Sequence, residues 1–178
     1  FKVAFIQDSD TPREGVMAIS AVLKEHGFLT DVFSIQAEKD VVKNVLKCAP
    51  DVIGCSVMTT EFKTMMETVR AIKKKNPDIF IIMGGVHPTF FPELIYEEQD
   101  IDAICIGEGE YPMLELASSL RDGNLNTRVK NLWLRKNRDI VKNEMRPLVT
   151  DLDSLPLPDR ALYYRKYRFL LKQTIKFM

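Results

Sequence analysis

The sequence predicts a doubly wound α/β domain on a five-stranded parallel sheet. Short apolar runs alternate with helical patterns five times, and four of the five runs are continuously hydrophobic, as strands covered on both faces are. A chain of 178 residues, 46% of them hydrophobic, is long enough for one such core with some length to spare.

The elements follow in order. The strand runs are "KVAFIQ" (2–7), "TDVFSI" (30–35), "DVIGCSVM" (51–58), "IFIIMGG" (79–85) and "IDAICIGE" (101–108). Between the first two, Val16, Ile19, Val22 and Leu23 recur at helical spacing until Gly27, which can take the left-handed cap. A second helix carries Val42, Val45, Leu46 and Ala49 and ends at Pro50. The third, "EFKTMMETVRAIKKKN", puts Phe62, Met65, Met66, Val69 and Ile72 on one face, with Lys73 to Lys75 at its dipole-negative end. A short fourth helix begins at Pro92. The fifth, "YPMLELASSLRDG", buries Leu114, Ala117 and Leu120 before Gly123 stops it.

Right-handed crossovers between such units give the flavodoxin-like, Rossmann-like strand order 2-1-3-4-5. Beyond them "NLWLRKNRDIVKN" (131–143) alternates with period two around a polar turn, the pattern of a β-hairpin. The proline-punctuated remainder reads as an extended linker. The expected division is therefore an α/β domain over 1–128, a hairpin extension over 129–147 and a linker over 148–178.

Composition narrows the function. Lysine and arginine total 25, as do aspartate and glutamate, and no basic stripe offers the footprint that nucleic acid requires. Cys48, Cys55 and Cys105 lie in apolar segments at spacings that suit neither a disulfide framework nor a metal knuckle, so they read as reduced core residues. No apolar stretch is long enough for a membrane span, and the chain opens directly into a strand, which predicts a cytoplasmic location. The opening at Phe1, without methionine, is expected of a piece of a longer protein.

In an open α/β sheet, ligands bind beyond the carboxyl ends of the strands. The loops there are "QDSDTPREG", "SVMTTE", "GGVHPT" and "GEGEYP", all small, polar or glycine-bearing. Gly84 and Gly85 remove two Cβ atoms where a strand emerges, either for a tight turn or for a flat ligand against bare backbone. Ser56, Thr59 and Thr60 place hydroxyls and a helix start beside that gap, as a cap or as partners for amide or phosphate oxygens.

Familiar ligands can be tested against this edge. A phospho-receiver site needs an aspartate ending strand three and a lysine ending strand five, where this chain has Ser56, Met58 and Gly107. A dinucleotide fingerprint belongs after the first strand, whereas "GEGEYP" follows the fifth and has Pro112 at the third glycine. A flavin mononucleotide loop is only partly supplied by "DSDTPREG", whose acidic residues repel phosphate.

The chain resembles the cobalamin-binding domain family, whose motifs are DxHxxG after strand one, SxL after strand three and GG after strand four. Ser56-Val57-Met58 matches SxL conservatively and Gly84-Gly85 matches GG. Asp8 matches the aspartate of the first motif, but Asp10 stands at the cobalt-ligating histidine and Arg13 at the glycine. One branch looks like this: the N-terminal domains of cobalamin-dependent radical S-adenosylmethionine enzymes. "GGVHPT", "DAICIGEGE" and "DLDSLPLPDRALYY" are similar to stretches of that branch, the last lying just ahead of its iron-sulfur domain.

The resemblance implies a cobalamin-binding module of a methyltransferase or oxidative cyclase, with no catalytic residue and no protein metal ligand of its own. The parent would add a C-terminal radical S-adenosylmethionine domain with a 4Fe-4S cluster. The CxxxCxxC that holds such a cluster is not here, since no cysteine follows Cys105. With Asp10 in place of histidine, the resemblance implies base-off cobalamin without a protein nitrogen on its lower face. Low-coordinate cobalt suits a cofactor that cycles through reduced states.

The implied cofactor rim is Asp8, Ser9, Asp10, Thr11 and Pro12; Ser56, Met58, Thr59 and Thr60; Gly84, Gly85, Val86, His87 and Pro88; and Gly107, Glu108, Gly109 and Glu110. His87 is expected as a wall or hydrogen-bond partner of the corrin, or as a turn residue held by Pro88. Glu108 and Glu110 either approach corrin amides or cap a helix, and Met58 packs the core or touches the macrocycle. His26 falls in the last turn of the first helix, where a polar end group suits the dipole. Arg160, Arg165, Lys166 and Arg168 with Tyr163, Tyr164 and Tyr167 either dock on the absent domain or form a solvated tail. The alternative function is a flavodoxin-like ligand-binding or regulatory module, or a degenerate domain kept as a docking scaffold.

Overall fold

A computed structural model describes residues 1–137 and 139–168. Its sheet has seven strands in the order β2-β1-β3-β4-β5-β6-β7. The parallel strands are β1 (Lys2–Gln7), β2 (Leu29–Ser34), β3 (Val52–Ser56), β4 (Phe80–Gly84) and β5 (Ala103–Cys105), in the order their alternation with helices predicts. The hairpin strands β6 (Leu132–Lys136) and β7 (Asp139–Lys142) extend the same sheet, β6 pairing antiparallel with β5 and β7 antiparallel with β6. Leu132 and Leu134 are buried there because their period-two alternation presents one side to the core. Arg138, in the hairpin turn, and 169–178 of the predicted linker lie outside the described residues.

The helices are α1 (Glu14–Glu25), α2 (Val41–Cys48), α3 (Phe62–Lys75), α4 (Val86–Phe90), α5 (Leu94–Glu97), α6 (Glu110–Arg121) and α7 (Ala161–Tyr164). Because side chains alternate along each strand, the sheet divides the core in two. Val3, Phe5, Val52, Ile82, Ala103 and Cys105 face α1 and α6, while Ala4, Ile6, Ile53, Cys55, Ile81, Met83 and Ile104 face α2, α3 and α5.

Three sequence expectations shift. The segment after Gly85 is the short helix α4, so "GGVHPT" is only in part a loop. In α6, Met113, Leu116 and Ala117 are buried while Leu114 and Leu120 are half-buried, because the helix starts at Glu110 and turns that face inward. The third concerns the terminal tyrosines. Tyr163 and Tyr167 neither form a solvated tail nor wait for another domain: both are buried against β1 and β2, where their rings join the α1 face of the core and their hydroxyls find partners. Cys55 and Cys105 are buried and all three cysteines are free thiols, as expected. Among the described residues, no helix is long and apolar enough to cross a membrane.

Candidate functional site

The strand register builds the site. Across the α1/α6 face, Phe5, Gly54, Ile82 and Ala103 form one row, and Gln7, Ser56, Gly84 and Cys105 form the row nearer the carboxyl edge. The first row is interrupted by Gly54, and the second is small at both middle positions, Ser56 and Gly84. A hollow of about 360 Å³ results, floored by Phe5, Gly54 and Ile82 and walled by Gly15, Val16 and Ile19 of α1 and by Glu110 and Met113 of α6. A Cβ on Gly54 would lie 3.0 Å from Met113 Cε and 3.1 Å from the Phe5 ring, and one on Gly109 would lie 2.8 Å from Ile19 Cδ1. At these two positions glycine lets the side chains of Met113, Phe5 and Ile19 close onto the backbone around the hollow.

Of the residues assigned to the rim, Ser56, Gly84, Gly85, Val86, Gly107, Glu108, Gly109 and Glu110 line the hollow. The two adjacent glycines have different jobs. Gly84 leaves room, since a Cβ there would meet only Cys105 Cβ at 3.6 Å. Gly85 serves the backbone: its φ is +101°, and a Cβ would fall 2.9 Å from both the nitrogen and the oxygen of Val57.

The remaining predicted residues stand outside the lining. Met58, Thr59 and Thr60 are exposed where β3 ends, and Pro88 is the buried residue of α4. Asp8, Ser9, Asp10, Thr11 and Pro12 form a loop that folds on itself, with Ser9 Oγ accepting the Thr11 amide at 3.0 Å and Asp8 Oδ2 accepting from Gln36 at 3.3 Å. His87 does not wall the hollow. Its ring packs between Phe62 (4.4 Å) and Phe91 (5.1 Å), and its Nδ1 lies 3.3 Å from Thr59 Oγ1, because α4 turns it towards α3. Burial there pushes its pKa below the ordinary value of 6.5. His26 bonds the Val22 carbonyl at 2.9 Å at the end of α1, at the opposite edge of the sheet.

The sequence reading missed the residues that join the loops into one collar. Arg13 Nη2 forms a bidentate pair with Glu61 at 2.5 and 2.6 Å, linking the loop after β1 to the loop after β3. Glu61 also accepts the Met58 amide at 3.1 Å. Val57 donates to the Gly84 carbonyl at 2.9 Å and accepts from the His87 amide at 3.1 Å. Thr89 Oγ1 donates to Gly85 O and accepts the Gly107 amide at 3.1 Å, reaching the loop after β5. Asn131, 3% exposed with φ +70°, donates from Nδ2 to Glu108 O at 3.1 Å, and its own carbonyl accepts the Ile106 amide at 2.9 Å. Of the missed residues only Gly54 left a readable signal, a glycine inside a strand of bulky residues.

Chemically the hollow is apolar below and polar at its mouth. Glu110, at the start of α6, has its pKa raised by burial and further by Glu108, against the pull of nearby backbone amides. Cys105 is pushed up to about 12 by burial, as expected of a thiol packed in the core. At the mouth, Val86 and Phe90 of the lining and Met58 beside them are 50%, 73% and 47% exposed, an apolar margin suited to a broad ligand face.

Residues 7–117 match the family profile of a B12 binding domain. The chain belongs to the B12-binding domain family. This B12-binding domain is 32% identical over 124 residues to an uncharacterised methyltransferase of Pyrococcus horikoshii, covering 69% of this chain and 27% of that protein. It is 29% identical over 170 residues to the anaerobic magnesium-protoporphyrin IX monomethyl ester cyclase of Rubrivivax gelatinosus, covering 89% and 30%. Its fold matches that of the cobalamin-dependent S-adenosylmethionine radical enzyme OxsB, solved with aqua-cobalamin and S-adenosylmethionine, with a TM-score of 0.76 at 23% identity over 92% of this chain and 24% of that one. The chain thus spans under a third of the length of these relatives.

The residues present fit the family's ligand. A hollow of this volume lies at the lower end of small-molecule sites (about 300–1,000 Å³), with an apolar floor and polar groups at its mouth.

Proposed function

We propose that this chain is the cobalamin-binding module of a B12-dependent radical S-adenosylmethionine enzyme of methyltransferase or oxidative-cyclase type. The module over 1–128 with its 129–147 extension holds the cofactor, and 148–178 leads towards a domain carrying the 4Fe-4S cluster and S-adenosylmethionine. The observation that carries the reading is the hollow over Gly54, Ser56 and Gly84 at the sheet's carboxyl edge.

In this reading cobalamin binds base-off. The hollow between the sheet and α1/α6 would hold its nucleotide tail, and the collar with the margin of Met58, Val86 and Phe90 would face its corrin. Phe5, Ile82 and Met113 exclude water from the tail, and Arg13 is held at the mouth by Glu61. Bound there, the cofactor would supply methyl-group carriage or one-electron chemistry to the neighbouring domain. Neither histidine would be offered to its lower face: Asp10 replaces the family's histidine, His87 is packed against two phenylalanines, and His26 is at the far edge of the sheet. His87, Pro88, Thr59, Thr60 and residues 8–12 act by shaping the collar.

The test is to incubate the protein with hydroxocobalamin, desalt it and record absorbance. Retained corrin bands support the reading, and their absence favours a flavodoxin-like module for another ligand. Electron paramagnetic resonance after reduction should lack nitrogen splitting from an axial base and be unchanged in His87→Ala; imidazole splitting would contradict the base-off proposal.

A further inference from the structure

The segment read from sequence as linker touches the site through one buried hydroxyl. From Asp159 onward it lies across α1 and β2. Asp159 Oδ2 accepts from Ser20 Oγ at 2.7 Å and Lys24 Nζ at 2.5 Å, and Lys166 Nζ bonds Asp31 at 3.1 Å over the Phe33 ring. Between these anchors Tyr163 is fully buried and donates its hydroxyl to Oε1 of Gln7.

Gln7 is itself fully buried at the end of β1. Its Nε2 donates to the carbonyls of Ser9 at 2.6 Å and Thr11 at 2.7 Å. Carbonyls only accept, so the amide must face them with nitrogen, which leaves its oxygen for a donor. Tyr163 is that donor. The loop so held runs straight into Arg13, which lines the hollow and grips Glu61. Burial raises the Tyr163 hydroxyl to about 12 against the lowering effect of the Arg13 backbone amide and guanidinium, so the phenol stays a donor at neutral pH and sits close to that residue.

We propose that Tyr163 is a positioning residue for the ligand site, acting through the Gln7 side chain on the 8–12 loop and Arg13, so that docking of the C-terminal strap and retention of the ligand are coupled. The strap is part of the site's support, and whatever moves it moves the loop. This rests on the reading that cobalamin occupies the hollow, but the coupling between strap and loop can be tested without ligand.

The experiment compares wild type with Tyr163→Phe, which removes one oxygen, and with Val69→Ala, which opens a void on the opposite face of the sheet. Amide hydrogen exchange is measured on ligand-free protein and cobalamin dissociation on reconstituted protein. Tyr163→Phe should speed exchange at residues 9–13 selectively and raise the cobalamin off-rate about tenfold, the scale of one buried hydrogen bond. Val69→Ala should lower the melting temperature without either effect. In a Gln7→Met background, Tyr163→Phe should add nothing; if that background does not fold, the single variants still decide. Unchanged exchange at 9–13 in Tyr163→Phe would overturn the proposal, as would an off-rate that rises equally in Val69→Ala. Failure of wild type to bind cobalamin would instead sink the functional reading, with the exchange result still deciding the relay.

Discussion

The two faces of the sheet are made by the same five parallel strands and treat their middle rows oppositely. On the α2/α3 side, Ile53, Cys55, Ile81 and Met83 meet Met65, Met66, Val69 and Ile72, and all are buried. On the α1/α6 side, the register positions one step away are Gly54, Ser56, Ile82 and Gly84, and the hollow opens between them. One residue's offset along β3 separates a filled core from an open hollow, the candidate binding site. The first face holds the fold, so the second is free to be incomplete.

Perturbing each face in turn sharpens that contrast. The largest stability loss is expected on the filled side: Ile53→Ala should cost about 2–5 kcal/mol in urea unfolding, since its pocket is closed and cannot collapse. Cobalamin retention by the molecules that remain folded should not change. Next is Gly85→Ala, which combines a left-handed φ with a clash at the Val57 backbone and should cost about 1–3 kcal/mol.

Smaller again is the collar pair. A double-mutant cycle on Arg13→Ala and Glu61→Ala should return a coupling of about 1 kcal/mol, since the pair is bidentate and mostly sheltered yet borders an open mouth.

The smallest effect belongs to Glu110. Its folded pKa is raised above the ordinary 4.5, so its contribution to stability is present below that value and lost as pH rises through the folded one. Glu110→Gln, permanently neutral, should therefore melt slightly above wild type at neutral pH and converge with it on acidification; thermal melts across that range check the sign.

The sheet and its flanking helices were legible because continuous apolar runs and helical stripes are local signals, as in Met65, Met66, Val69 and Ile72. The hairpin was legible as a hairpin, but its place as the sheet's edge depends on pairing between Ala103–Cys105 and Leu132–Leu134, which no local pattern encodes. The same limit governs the site. Gly84 and Gly85 read alike in sequence, and only the approach of Val57 separates a space-maker from a backbone requirement. Arg13–Glu61 and Tyr163–Gln7 join residues 48 and 156 positions apart, beyond the reach of periodicity or motif. His87 drew notice as a histidine beside a double glycine, but the rotation of α4 decides where its ring goes.

The most direct test of the hollow as the ligand's seat is Gly84→Leu. Its Cβ meets only ordinary contact, so the variant should melt near wild type while its side chain fills the mouth. After incubation with hydroxocobalamin and desalting, wild type should retain about one equivalent of corrin and Gly84→Leu essentially none. A folded Gly84→Leu that keeps cobalamin as well as wild type would contradict the account.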